Sequence, residues 1–140
     1  RRLLDNHASH LQVHAQACPG LAEAIEAHGP ESAEVATLLD RFVSPLVAAG
    51  VDVVALGCTH YPWVAQGIAR RLPPEVQLLD TGEAIGRQLE RLLAAENLLG
   101  GGSGQLHLAT SGAPLAVKAT VERLWAQNVG EHLPVEYWEP

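Results

Sequence analysis

Apolar residues along the chain recur at two different spacings. Between Ser32 and Ala49, Val35, Leu38, Leu39, Phe42, Val43, Leu46 and Val47 stand three and four apart, which predicts one helix with a buried stripe. Pro45 is placed to kink it. Gly50 stops that helix, and Val51-Asp52-Val53-Val54-Ala55-Leu56 is apolar at nearly every position, the pattern of a strand covered on both faces. Pro62 suits the first turn of a further helix through Trp63, Val64, Ile68 and Leu72, which Pro73-Pro74 ends.

The same reading extends in both directions. Residues 1–9 read as the end of a helix, Leu11 to Ala15 as a short strand, and Cys18-Pro19-Gly20 as a turn. Leu21 to Ala27 can form a brief helix, ended where glycine caps and proline blocks at Gly29-Pro30. Val76 to Leu79 predicts the next strand, and Asp80 with Glu83 three residues on predicts a capped helix through Leu93. Leu106 to Ala109, Pro114 to Ala126 and Val135 to Trp138 give a last strand, helix and strand. Short β-branched runs alternating with helical stretches predict an α/β fold, a parallel-sheet lobe with flanking helices. Gly100-Gly101-Gly102-Ser103-Gly104 is the one flexible stretch that can separate two parts of the chain.

Composition narrows the function classes. The chain has 140 residues, the size of one domain. A mean hydropathy of +0.06 without an unbroken apolar run of about 20 residues predicts a soluble chain with no membrane span. Asp5, Asn6 and His7 interrupt the apolar run after Arg1-Arg2-Leu3-Leu4, so no export signal is expected. Two cysteines are too few for a disulfide scaffold and fit a reducing cytoplasm. Nine Lys and Arg against sixteen Asp and Glu leave a net charge of −7, a field that repels phosphate backbones and argues against nucleic-acid binding.

The chemistry concentrates between the best strand and the helix that follows it. Cys58 lies at the carboxyl end of that strand, where open α/β sheets bind ligands. A helix starting near Pro62 would aim N–H groups and partial positive charge at the turn, lowering a thiol's pKa and favouring a substrate carboxylate. Gly57 leaves room, Thr59 offers a hydroxyl, and His60 can transfer a proton near neutral pH. The competing reading makes Cys58 a small buried residue and His60 a surface histidine. His7, His10 and His14, three and four apart with Cys18 nearby, would share a face on a continuous helix. The strand and turn expected after Val13 break that face, and no second Cys or His pair completes a zinc pattern, so no metal is expected. His28, His107 and His132 have no partner spacing, and Trp63, Trp125 and Trp138 read as core or interface anchors.

The run Leu56-Gly57-Cys58-Thr59-His60-Tyr61-Pro62 closely resembles the second cysteine motif of the glutamate racemases. Ala17-Cys18-Pro19 is similar to that family's Ala-Cys-Pro turn, Asp80-Thr81-Gly82-Glu83 to its Asp-Ser/Thr-Gly-Glu segment, and Thr110-Ser111-Gly112 to its late Thr-Ser-Gly turn. These landmarks stand in family order from residue 17 to residue 112.

The resemblance implies a fold of two similar α/β lobes facing each other across the active site, each bearing one cysteine, with no cofactor of any kind. It implies that one thiolate removes the α-proton of glutamate while the opposite thiol delivers another, giving D-glutamate for peptidoglycan in the cytoplasm. On that resemblance Cys58 is the second-lobe catalytic cysteine, His60 assists its proton transfer, Thr59 contacts the substrate and Glu26 is a supporting acid. Residues 1–95 would then be the second lobe, 96–104 the crossing loop, and 105–140 a return segment that completes the first lobe. The family's Asp-Ser strand end and Cys-Asn-Thr turn have no counterpart here, and Cys18 matches a non-catalytic turn. A two-base racemase needs acids on opposite faces of the α-carbon, so the chain alone holds half a mechanism. The expected partner is a small-molecule substrate, glutamate, and a homodimer is compatible with the resemblance. The rival readings are a related aspartate or amino-acid racemase and a non-catalytic binding module retaining one lobe.

Overall fold

A computed structural model describes residues 10–100, 107–129 and 136–138. In chain order these form α1 (Leu21–His28), α2 (Ala33–Ala48), β1 (Val53–Ala55), a 3-10 turn (Tyr61–Val64), α3 (Ala65–Ala69), β2 (Gln77–Leu79), α4 (Gly82–Ala95), β3 (His107–Ala109), α5 (Pro114–Val129) and β4 (Glu136–Trp138). β1 pairs parallel with β2, Val54 opposite Leu78, and β3 pairs parallel with β4, Leu108 opposite Tyr137. The architecture is the expected α/β one with parallel strands and flanking helices.

Helix α2 forms where the apolar stripe predicts it. The Ser32 hydroxyl accepts from the Val35 N–H at 3.3 Å, satisfying one of the first-turn donors that a helix leaves open. The helix runs unbroken through Pro45 to Ala48, and Gly50 follows at φ +66°, a left-handed conformation that glycine adopts without steric cost. Val35, Leu39, Phe42 and Val43 bury its inner face against Leu21 and Ile25 of α1. Leu56, Val64 and Ile68 join the same core, as does Leu124 of α5. Burying a side chain of Ile25's size completely is worth about 1.5–3 kcal/mol, and α1 carries two such residues. That is what holds α1 in place beside the Cys58 turn.

Arg71 joins α2 to the segment after α3. Its Nε donates to Asp40 Oδ1 at 2.6 Å, and its Nη1 and Nη2 donate to the carbonyls of Gly67 and Ala36. With its guanidinium so engaged, it acts as a cross-link.

Four local expectations change. Residues 12–17 form no strand, and Leu11 and Val13 are exposed; no described segment supplies the ladder that an extended chain needs to count as sheet. β1 is covered on one face only: Val54 and Leu78 turn inward, while Val53, Ala55, Gln77 and Leu79 are exposed. The helix expected from Pro62 is a four-residue 3-10 turn followed by the five residues of α3. The Asp80 carboxylate accepts from the N–H of Gly82, the first residue of α4, at 2.9 Å, while Thr81 at the N-cap makes no side-chain bond, and Glu83 pairs forward with Arg87 at 2.6 Å instead of reaching back. An i,i+4 ion pair of this polarity competes directly with a capping box. The expected helix end at 1–9, residues 101–104 of the glycine stretch, and Val135 lie outside the described residues.

Candidate active site

The Leu56 N–H bonds to the Leu79 carbonyl at 3.0 Å, one residue past β1, so the chain leaves the sheet at Gly57. The next bonds are turn bonds. The Tyr61 N–H donates to the Cys58 carbonyl and the Trp63 N–H to the His60 carbonyl, both at 3.2 Å. This tight reversal presents Cys58, Thr59 and His60 at the carboxyl end of the parallel pair, with Val64 anchoring the turn in the core.

Three of the four expected residues meet there. His60 Nδ1 lies 3.8 Å from Cys58 Sγ, and His60 Nε2 lies 2.6 Å from Glu26 Oε1 on α1. A carboxylate can only accept, so Nε2 carries a proton toward Glu26 and Nδ1 faces the thiol. Thr59 is exposed between them. Glu26 is 34 residues from His60 in sequence, and the well-buried flanking Ile25 fixes the helix that delivers it.

The electrostatics follow from these contacts. Cys58 is lowered from its ordinary range chiefly by the His60 backbone N–H; partial burial opposes this, while the His60 imidazole and the Tyr61 N–H add to it. His60 is raised, first by its bond to Glu26 and then by Cys58, against the opposing effect of burial. Each group favours the charged form of its neighbour, the condition for a thiolate–imidazolium pair.

The second thiol has the opposite environment. Burial raises Cys18 most; the Tyr61 hydroxyl lowers it and Cys58 raises it further. Its thiol donates to the Gln16 carbonyl at 3.7 Å. Tyr61 is itself pushed up to about 12, by burial first and then by Cys18. Sequence reasoning gave Tyr61 no role, although it stands inside the motif; its hydroxyl bonds the Cys18 thiol while its backbone N–H favours the Cys58 thiolate.

Residues 1–89 match the model of the Asp/Glu/hydantoin racemase family. The chain belongs to that family. It is 46% identical over 127 residues to a glutamate racemase of Pseudomonas putida, covering 90% of this chain and 48% of the relative. A glutamate racemase of Herpetosiphon aurantiacus is 47% identical over 116 residues, 81% of this chain and 46% of the relative. Among solved structures, a glutamate racemase isoform from Bacillus anthracis superposes with a TM-score of 0.79 at 26% identity, covering 99% of this chain and 51% of that one. A glutamate racemase from Thermus thermophilus, solved with β-chloro-D-alanine, gives 0.72 at 30% identity over 89% of this chain and 46% of that one. The chain spans about half the length of the relatives it matches.

For this family member the other candidates stay apart. Among the described residues no three His, Cys, Asp or Glu side chains converge on a point that could hold a metal ion; His7 of the histidine series and His132 lie outside them. No described helix is long and apolar enough to cross a membrane.

The Glu26–His60 contact predicts a pH-dependent stability. His60 is raised in the folded chain, so the gain is complete below the unfolded value of about 6.5 and is lost as pH rises through the higher folded value. The side chains are 28% and 49% exposed, which keeps the effect below about 1 kcal/mol. Glu26→Gln is therefore expected to lower the unfolding temperature at pH 5.5 more than at pH 8.5; equal losses at both pH values would contradict the pairing.

Proposed function

We propose that the chain is the carboxy-terminal half of a glutamate racemase, in which Cys58 exchanges the α-proton of glutamate on one face and a thiol from the other lobe acts on the opposite face. The observation that carries this reading is the line Cys58, His60, Glu26, 3.8 Å and 2.6 Å between successive partners, in a chain whose relatives are glutamate racemases. In one direction the Cys58 thiolate takes the α-proton and the opposite thiol gives its own to the planar carbon; in the other the roles reverse. Atoms balance without a cofactor, since one proton enters as one leaves. His60, held by Glu26, stabilises the Cys58 thiolate through Nδ1 and accepts or returns its proton. In this reading Thr59, exposed beside Cys58, contacts the substrate's polar groups through its hydroxyl.

The accompanying domain reading assigns residues 1–95 to the second lobe, 96–104 to a crossing and 105–140 to the return segment that completes the first lobe. D-glutamate so formed suits a cytoplasmic supply for peptidoglycan. Because protons must arrive on opposite faces, the purified 140-residue chain is expected to form no sustained D-glutamate from L-glutamate. Chiral chromatography of the reaction over hours tests this, and steady accumulation of D-glutamate would overturn the division of labour between two lobes.

A further inference from the structure

Helix α1 ends at His28, where the carbonyls of its last turn have no partner within the helix. The Gly29 N–H takes the carbonyl of Ile25 at 3.0 Å. The next two are taken by one side chain from the far end of the chain: Arg123 Nη1 of α5 donates to the carbonyl of Glu26 and, at 2.9 Å, to that of Ala27. Neighbouring Leu124 is buried in the same core as Leu21 and Ile25, so the guanidinium is delivered on a packed helix. A cation at the negative end of a helix is favourable. Here the carbonyl it grips belongs to the residue whose carboxylate holds His60.

We propose that Arg123 is a positioning residue for proton transfer at Cys58, locking the last turn of α1 so that the Glu26 carboxylate stays on His60 Nε2. The inference rests on the reading of Cys58, His60 and Glu26 as one line. Nothing about Arg123 in sequence points to it, since a lone arginine on a helix is ordinarily solvated. The inference separates cleanly from a plain charge effect. Removing a nearby cation by itself raises the pKa of an imidazole. Releasing Glu26 from His60 lowers it, because the carboxylate is the largest cause of the raised value.

The test is the titration of the His60 ring protons by NMR in the 140-residue chain and in Arg123→Ala, Glu26→Gln and the double variant, with circular dichroism to verify the fold. Arg123→Ala is expected to move the His60 midpoint down by a few tenths of a pH unit or more, in the direction of Glu26→Gln and by less. In the Glu26→Gln background the same change is expected to have no downward effect. An unchanged or higher midpoint in folded Arg123→Ala overturns the inference. Should the alanine variant lose its fold, Arg123→Gln keeps most of the stem and neutralises the head, and the same comparison decides. If Glu26→Gln itself leaves His60 unmoved, the line from Glu26 to Cys58 fails, a result distinct from failure of Arg123 alone.

Discussion

Replacing Cys58 by serine is expected to lower racemisation by about 10²–10⁴-fold, the range a positioned acid–base group supplies, in a two-lobed protein joining this chain to the first half of the Pseudomonas putida relative. A serine hydroxyl is a far weaker acid than a thiol, and no lowering by turn N–H groups makes it an anion near neutral pH. The environment of Cys58 amplifies the difference: the His60 and Tyr61 N–H groups and the His60 imidazole all favour a charged sulfur, and a neutral hydroxyl gains little from them. Cys18→Ser in the same protein is expected to lose much less, because burial raises that thiol's pKa and disfavours its thiolate. The measurement is kcat in both directions by chiral analysis. Near-normal turnover in Cys58→Ser would remove Cys58 from the chemistry, as would equal losses in the two variants. No D-glutamate from the joined wild-type protein, under conditions where the Pseudomonas putida enzyme turns over, would count against the proposed function itself.

Much of the fold is legible because its elements announce themselves locally. The three-and-four spacing from Val35 to Val47 places α2 within one residue of its observed ends, and Ser32 and Gly50 mark the punctuation. What is less legible depends on partners distant in sequence. An apolar run such as Val51 to Leu56 shows that a strand forms but not how many layers cover it, and Val53 and Ala55 are left exposed. Leu11 to Ala15 has a strand's composition without a ladder among the described residues. Helix α4 has an apolar stripe and buries none of it: Ile85, Leu89 and Leu92 are more than half exposed. Periodicity reports an amphipathic face, and only tertiary contact says whether anything lies against it.

The site divides along the same line. Cys58 and His60 are neighbours in a turn of known direction, so their contact is readable from two positions in sequence. Glu26 reaches them across 34 residues, and spacing within a resemblance was its only signal. Arg123 acts on the backbone of Glu26 and Ala27 from 97 and 96 residues away, where sequence carries no signal. Side chains that bond to backbone carbonyls leave no complementary residue type to look for, unlike a carboxylate facing an imidazole.

At pH 7 a thiol-alkylating reagent is expected to label Cys58 of the folded chain faster than Cys18. The thiolate is the nucleophile, so the more acidic of two thiols has the larger reactive fraction at this pH, a gain that its lower intrinsic nucleophilicity offsets only in part. Cys58 is lowered and Cys18 raised from the same ordinary value, so the gap opens from both sides. The contrast should shrink as pH climbs past the Cys58 value, where its thiolate fraction saturates while that of Cys18 still grows. His60→Asn supplies the internal control. It removes the imidazole but keeps the backbone N–H that is the largest cause of the Cys58 shift, so labelling should slow without falling to the rate of Cys18. Site-resolved mass spectrometry across pH 6 to 9 reads all three quantities. Equal labelling of the two cysteines would leave Cys58 an inert packing residue. A fast Cys58 that is indifferent to His60→Asn would retain the thiol and the turn N–H groups while removing His60 from the proton transfer.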